Sequence, residues 1–131
     1  GAGQIKYGSM ATVIGKFEQQ YMTGENLSVV VPGNQKRDFT HIDDTISAIL
    51  AILKSEKWNE SYNINTGKQY SILEIAKKFN TNITLSPQDR VNRMCSLGNN
   101  KNVKLLGWEP KHNIIDYIKN FIEKESHSKP I

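Results

Sequence analysis

The feature that most restricts the fold of this chain is an almost wholly apolar stretch from Ile46 to Leu53. Two acids, Asp43 and Asp44, come directly before it. Negative charge suits the first turn of a helix, because the free backbone N–H groups there are electropositive. The stretch therefore predicts a helix that is apolar on nearly all sides. Such a helix must be buried on more than one side.

Length and composition predict one core. The chain has 131 residues, of which 37% are hydrophobic and 23% charged, within the range of about 100 to 200 residues for one domain. A chain of this length buries roughly two-thirds of the surface that its unfolded form exposes, enough for a core without disulfide or metal. We expect a single domain over residues 1–131, with residues 1–6 as a truncated or artificial end and residues 126–131 as a flexible tail.

Several classes of protein are excluded by the residue counts. The single Cys95 cannot form an internal disulfide or a multi-cysteine zinc site, and it favours a reducing, cytoplasmic compartment. The longest apolar run is far below the roughly 20 residues that cross a bilayer, so we expect no membrane contact. The net charge is +4, but the basic residues are scattered rather than gathered in one stripe, so we expect no nucleic-acid partner.

The hydrophobic pattern alternates between strands and helices, which indicates an α/β or α+β-like domain with short strands and about five helices. Ser71 and Glu74 have the spacing of a capping box. Ser9, Asn113 and one of Asn99 and Asn100 are further candidate N-caps. The strand candidates are Leu27–Val31, Ser61–Asn65 and Ile83–Leu85, and the helix candidates are Met10–Tyr21, Asp43–Leu53, Ile72–Phe79, Asn100–Leu106 and Ile114–Ile122.

No motif in the chain satisfies the requirements of a catalytic or metal site. Gly1-Ala2-Gly3 follows no strand and lacks the later glycines of a dinucleotide fingerprint, and Gly67-Lys68 lacks the upstream glycine of a phosphate loop. His41, His112 and His127 are too widely spaced for a local metal motif. We therefore predict no catalytic, cofactor-binding or metal-binding residue here.

The segment from Gln35 to Asp44 is unusual, because it combines a basic pair with an aromatic residue and three acids. Arg37 can offer its planar guanidinium to a phosphate, although local chemistry favours pairing with Asp38 or another surface acid. His41 is better interpreted as a packing or capping residue than as a base. Asp43 and Asp44 are better interpreted as helix-terminal residues than as a catalytic acid pair.

Residues 29–44, which read V-V-V-P-G-N-Q-K-R-D-F-T-H-I-D-D, closely resemble a stretch of the NAD-dependent nucleotide-sugar epimerases and dehydratases of the extended short-chain dehydrogenase/reductase superfamily. Tyr62–Gly67, Ser71–Ala76 and Lys101–Pro110 resemble the family patterns Y-N-x-G-x-G, S-x-x-E-x-A and K-x-L-G-W-x-P, in the same order. The resemblance covers roughly Gln4 to Glu125.

The resemblance implies that this chain is the C-terminal, substrate-binding portion of such an enzyme, with the Rossmann half absent. The family's glycine-rich NAD loop and its catalytic Tyr-x-x-x-Lys lie upstream of the matched segments. Tyr7 does not supply that tyrosine, since Ala11 stands where the lysine is required. NAD is therefore expected in the complete enzyme and not in this chain, and the isolated chain is expected to be inactive.

Substrate-binding residues can be assigned by position in the family pattern. Arg37 matches the arginine that contacts the nucleotide diphosphate, which favours phosphate binding over pairing with an acid. A second family arginine matches Arg90, with Arg93 as the reserve. The remaining candidates are a strand that lies against the nucleobase and the asparagine of Y-N-x-G, namely Leu27, Ser28, Val29 and Asn63.

Two functional hypotheses follow from these assignments. The first is binding of a nucleotide diphosphate sugar, alone or with a separate Rossmann-domain chain. The second is a non-catalytic assembly module that associates with itself through the surface that faces the Rossmann domain in the family. Because the helix that contains Ile46–Leu53 packs on that domain in the family, we expect a homo-oligomer. The base, the sugar and the parent reaction stay open.

Overall fold

A computed structural model describes residues 1–7, 12–87 and 98–128. This part of the chain has a mixed α/β fold with five helices and four short strands, which confirms the predicted mixture and the number of helices. In chain order the elements are α1 (Val13–Met22), β1 (Leu27–Val30), β2 (Lys36–Arg37), α2 (Ile42–Ser55), β3 (Tyr70–Ser71), α3 (Ile72–Lys77), β4 (Ile83–Ser86), α4 (Lys101–Lys104) and α5 (Ile114–Ser128).

The described strands form two separate pairs. β1 and β4 run parallel, with Leu27 opposite Ile83 and Val30 opposite Ser86. β2 and β3 are antiparallel, with Arg37 opposite Tyr70. Because parallel neighbours need a long crossover, the β1–β4 connection has room for the second strand pair and for helices α2 and α3.

The larger core lies between α1, β1, α3 and α5. Phe17 and Phe79 meet edge to face, with ring centroids 5.9 Å apart, a geometry that adds to the burial of apolar area. Val29 and Ile118 are fully buried in the same cluster. This core fixes the position of α1 against β1.

A smaller cluster joins α2 to α4. Ala48 and Val103 are fully buried there beside Trp108. The indole N–H of Trp108 donates to the backbone oxygen of Asp44 at 3.1 Å and to the hydroxyl of Ser47 at 2.9 Å. Trp108 therefore holds the first half of α2 through both packing and hydrogen bonds.

Two predicted helix caps are confirmed. The Ser71 hydroxyl accepts a hydrogen bond from the backbone N–H of Glu74 at 3.0 Å and begins α3. The Asn113 side-chain oxygen accepts from the N–H of Ile115 at 2.7 Å before α5. Each cap satisfies a backbone donor that has no partner within the helix.

The N-cap of α1 corrects the expectation for Ser9, which lies outside the described residues. Thr12 is the cap, and its hydroxyl accepts from the N–H of Gly15 at 2.9 Å. α1 ends at Met22, shortly before Gly24, whose positive φ of 77° suits a glycine after a helix.

The predicted strand Ser61–Asn65 is wrong, because this segment is irregular. The side-chain amide of Asn63 donates to the backbone oxygen of Asn99 at 3.1 Å, and that of Asn65 donates to Gly98 O at 2.8 Å. These hydrogen bonds tie the segment to residues 98–100.

The prediction that α2 is buried on more than one side is wrong for this chain. Only Asp44 and Ala48 of this helix are buried. Five of its large apolar side chains are between 47 and 55% exposed, and they are Ile42, Ile46, Ile49, Leu50 and Leu53. Ile52 is partly buried against the smaller cluster. The helix is apolar, but the described part of the chain covers only one side of it.

The last helix, α5, continues through Ser128, within the segment expected to be flexible. Its inner face places Ile118 in the larger core. None of the helices in the described part of the chain is long and apolar enough to cross a membrane.

Candidate functional site

Arg37 stands on the short strand β2, and its guanidinium is free of acids among the described residues. Its Nη1 donates to the backbone oxygen of Lys36 at 2.8 Å. Asp38, the neighbour expected to pair with it on local chemistry, is instead occupied by Thr66 and Gly67. Its carboxylate accepts from the N–H of Thr66 at 3.0 Å and from that of Gly67 at 2.8 Å. The guanidinium can therefore take an anion from solution.

A groove of about 260 Å³ lies beside Arg37. The exposed Lys16 of α1 and the exposed Ser28 of β1 line it together with Arg37 and the buried Gln35. Its remaining lining is apolar, and comprises Val13, Phe17, Val30 and Ile72. With two cations and no acid among the eight lining residues, the groove attracts anionic groups.

Three of the predicted site residues are neighbours on β1. The side chains of Leu27 and Val29 are fully buried in the larger core, so they cannot touch a ligand. Ser28 points to the other side of the strand, since successive side chains alternate. Its N–H donates to the Gln20 side-chain oxygen at 3.1 Å, and its hydroxyl accepts from the Gln20 amide at 3.2 Å. Of the three side chains, only that of Ser28 lines the groove.

Of the other predicted site residues, the structure describes Asn63, which is not brought to this groove. Asn63 is tied to Asn99 and does not line it. Arg90 and Arg93 lie outside the described residues, so they stay predictions. Lys16 and Gln35 line the groove and were missed. A hint for Gln35 is its position two residues before Arg37, which puts both on one face of an extended strand.

A second cavity, of about 270 Å³, lies between α1, the start of α2 and the start of α5. The rings of His41 and His112 stack along it with centroids 4.2 Å apart. His41 Nδ1 accepts from the N–H of Asp43 at 3.0 Å, which confirms that His41 is a capping residue. Sequence spacing gave no sign that the two histidines would meet.

Asp44 anchors this histidine pair. Its buried carboxylate accepts from the N–H groups of Lys111 at 3.0 Å and His112 at 2.9 Å, and its Oδ1 lies 2.9 Å from His112 Nδ1. Burial alone would raise the pKa of Asp44, but these hydrogen bonds outweigh it and hold the pKa below the ordinary value. Burial and the neighbouring His112 lower the pKa of His41.

The histidine pair and Asp43 are the only described group whose ligand atoms are close enough to share a metal ion, all within 4.8 Å. The stacked ring planes lie 15° from parallel, so their nitrogen lone pairs do not converge on one point. His41 Nδ1 is also engaged by a backbone N–H. The arrangement is that of a helix cap and a packing contact.

A buried carboxylate, that of Glu18, binds two residues that line this cavity, Gln4 and Tyr117. Glu18 accepts from the Tyr117 hydroxyl at 2.8 Å and from the Gln4 amide at 2.5 Å, and it pairs with Lys6 at 3.2 Å. Burial and the Glu18 carboxylate raise the pKa of Tyr117. A tyrosine that donates to a buried carboxylate keeps its proton, so this network ties α1 to α5 rather than transferring protons.

A comparison with protein-family models matches the part of the chain that forms most of the groove beside Arg37. A model of the NAD dependent epimerase/dehydratase family matches residues 1–65. These residues include α1, β1 and β2, which form most of the groove. The class of protein that the chain resembles is therefore that of the NAD-dependent epimerases and dehydratases.

Particular relatives make the resemblance more specific. The dTDP-D-glucose 4,6-dehydratase of Bos taurus is 31% identical over 124 residues, which are 85% of this chain and 35% of that protein. The UDP-glucose 4-epimerase of Thermotoga maritima, solved with UDP-glucose, has a TM-score of 0.78 and 24% identity, over 95% of this chain and 42% of that one. The UDP-glucuronic acid 4-epimerase of Bacillus cereus, solved with UDP-glucuronic acid and NAD, has a TM-score of 0.73 and 21% identity, over 94% and 43%.

These relatives are nucleotide-sugar epimerases and dehydratases, and the chain spans less than half of the length of each. The solved structures share its fold.

Proposed function

We propose that this chain is the C-terminal, substrate-binding portion of an NAD-dependent nucleotide-sugar epimerase or dehydratase of the extended short-chain dehydrogenase/reductase superfamily. The observation that carries the proposal is the groove beside Arg37. It presents a guanidinium without an acid partner among the described residues, and Lys16 of α1 also lines it. A diphosphate matches this pair, because arginine binds phosphate oxygens through two parallel N–H groups while lysine acts as a point charge.

The sugar nucleotide follows from the relatives rather than from the groove alone. Relatives of known structure hold UDP-glucose or UDP-glucuronic acid. Of the predicted site residues on β1, Ser28 has the side chain that can contact such a ligand. We keep Arg90, with Arg93 as the reserve, as further phosphate or ribose contacts. The backbone of Leu27 and Val29 and the side chain of Asn63 remain candidates for the base and the sugar.

NAD binding belongs to another part of the enzyme in this proposal. These 131 residues contain neither the glycine pattern G-x-G-x-x-G of a dinucleotide fingerprint nor Tyr-x-x-x-Lys. The residues present therefore do not fit NAD, and we derive no chemical step for this chain. We expect no NADH-linked absorbance change when the purified chain meets a nucleotide sugar and NAD. Such a change would contradict this part of the proposal.

Calorimetric titration tests the binding role. UDP-, dTDP- and GDP-glucose are titrated into the chain and into Arg37→Met, which removes the charge but keeps most of the apolar stem. Hydrogen bonds to a charged group contribute about 1.5 to 3 kcal/mol, so we expect affinity for the sugar that binds to fall at least tenfold. Lys54→Met is the matched control, because it removes one positive charge from an exposed site outside the groove.

Unchanged affinity in Arg37→Met, or equal losses in both variants, would contradict the proposed site. Equal losses would show that only the net charge of +4 attracts the ligand.

The exposed face of α2 supports a second candidate function. Its half-exposed apolar side chains, such as Ile46 and Leu50, form a surface that the described residues leave uncovered, and such surfaces mark interfaces. In this candidate the chain is a non-catalytic assembly module that pairs with a second copy of itself. Light scattering at high micromolar concentration measures the oligomeric state. Together with the titration of sugar nucleotides, it separates the two candidates. An oligomer that binds no sugar nucleotide favours assembly, and a monomer that binds one favours the substrate role.

A further inference from the structure

The groove beside Arg37 contains a buried polar atom without a partner. Gln35 is 6% exposed, and its side-chain oxygen has no hydrogen bond. The backbone of the same residue is fixed, because its carbonyl oxygen accepts from the N–H of Ile72 at 3.1 Å. A buried acceptor without a donor destabilises a fold, because its hydrogen bonds to water are lost and not replaced. Such atoms are rare in native proteins and call for an explanation.

The position of Gln35 relative to Arg37 indicates which kind of group would satisfy it. Both residues line the groove, and Gln35 stands two positions before Arg37, directly next to strand β2. At about 3.3 Å per residue, their backbones are separated by about 7 Å. If Arg37 holds a phosphate of the ligand, the group bonded to that phosphate lies close enough to reach Gln35. The Gln35 side-chain oxygen can only accept a hydrogen bond, so the ligand must offer a donor. An ionised phosphate has no donor, which excludes the phosphate itself as the partner.

We infer that Gln35 is a ligand-binding residue of the groove, whose side-chain oxygen accepts a hydrogen bond from a hydroxyl of the sugar next to the bound diphosphate. This inference rests on the proposed function and names a contact within that site. In a nucleotide sugar, a ribose stands on one side of the diphosphate and a hexose on the other, and both carry hydroxyl groups.

The experiment uses three ligands that differ in their hydroxyl groups. Pyrophosphate has the two phosphates alone, UDP adds a ribose and UDP-glucose adds a hexose. Each is titrated calorimetrically into the chain at pH 8, into Gln35→Met and into Arg37→Met. Methionine has nearly the same shape as glutamine but cannot accept this hydrogen bond. Gln19→Met, on the part of α1 that does not line the groove, is the matched control.

Gln35→Met should leave pyrophosphate affinity unchanged and weaken UDP-glucose binding by about 2- to 12-fold, the range for one net hydrogen bond. If the affinity for UDP falls equally, the donor to Gln35 is a ribose hydroxyl. If only the affinity for UDP-glucose falls, the donor is a hydroxyl of the hexose. The ligand-free variant should melt at the same temperature as the parent chain or higher, because an unpaired buried oxygen has been removed. Gln35→Leu, a shorter apolar replacement, gives the same pattern if the methionine variant does not fold.

The inference is overturned if Gln35→Met weakens all three ligands equally, since Gln35 would then only position Arg37. It is also overturned if the variant binds UDP-glucose as tightly as the parent chain, or if both apolar variants are less stable than the parent. Loss of the Arg37 dependence, or no binding of any ligand, overturns the proposed function as well. The two failures are therefore distinguishable.

Discussion

The carboxylate of Asp44 joins helix α2 to the segment before α5, and its replacement by asparagine should weaken the fold. In Asp44→Asn the side-chain NH₂ faces the N–H of His112, which the carboxylate now binds at 2.9 Å. A buried donor without an acceptor costs about 1 to 3 kcal/mol, and losing the charge on the remaining bonds costs about 1 kcal/mol more. We expect the free energy of unfolding at pH 7 to fall by about 2 to 4 kcal/mol.

Urea denaturation measures this change, and Asp43→Asn is the control. Asp43 is also in the first turn of α2, but its side chain is 64% exposed. Its loss should therefore affect the free energy of unfolding by less than about 1 kcal/mol. If Asp44→Asn unfolds within 0.5 kcal/mol of the parent chain, or if the two variants are equally destabilised, Asp44 does not anchor α2 as its hydrogen bonds indicate.

The lowered pKa of Asp44 sets the sign of the pH dependence. A carboxyl group whose pKa is lower in the folded than in the unfolded chain stabilises the fold above the unfolded value, about 3.9. That stabilisation is lost as the pH falls through the folded pKa. The difference in unfolding free energy between the parent chain and Asp44→Asn should therefore shrink in acid. A difference that stays constant from pH 7 to pH 2 would contradict this cause.

Three further changes test other parts of the structure. Ser71→Ala removes the cap of α3 and should lower the free energy of unfolding by about 1 kcal/mol in urea; no measurable change would exclude the cap. Asp38→Asn places an amide against the N–H of Gly67 and should speed hydrogen exchange at Thr66 and Gly67; unchanged exchange would refute the contact. The parent chain should self-associate at high micromolar concentration, and Leu50→Asp should sediment as a monomer; a monomeric parent chain would refute the role of that face.

Local patterns in the sequence were enough for the features that depend on neighbouring residues. Ser71 with Glu74 and Asn113 are caps because their side-chain oxygens reach N–H groups two or three residues away. The apolar character of α2 was also readable from the sequence. The burial of its apolar side chains depends on which other elements pack against α2. That packing cannot be read from a local sequence pattern.

Features that depend on distant residues were missed. His41 stacks on His112, and Asp44 binds the backbone beside His112, because the segment before α5 returns to the start of α2. Asn63 has the pattern of a strand residue, but its amide finds the carbonyl of Asn99 instead. Lys16 reaches the groove because α1 packs on the core beside β1, which the spacing of charges along the chain does not show.

The resemblance identified Arg37, but its surroundings came from the fold. The sequence places Asp38 next to Arg37, which favours an ion pair. In the structure, the carboxylate of Asp38 instead accepts hydrogen bonds from the N–H groups of Thr66 and Gly67. The arginine is left without an acid among the described residues because of this long-range contact.

The most direct test of the account is to locate the bound sugar nucleotide on the protein by nuclear magnetic resonance. UDP-glucose is added to the ¹⁵N-labelled chain, and the backbone and side-chain N–H signals are followed. The account predicts that the largest shifts occur at Arg37 Nε, the Gln35 amide and the backbone of Ser28, while signals near His41 and His112 hardly move. Shifts centred on the two histidines, or no shifts at millimolar UDP-glucose, would contradict it.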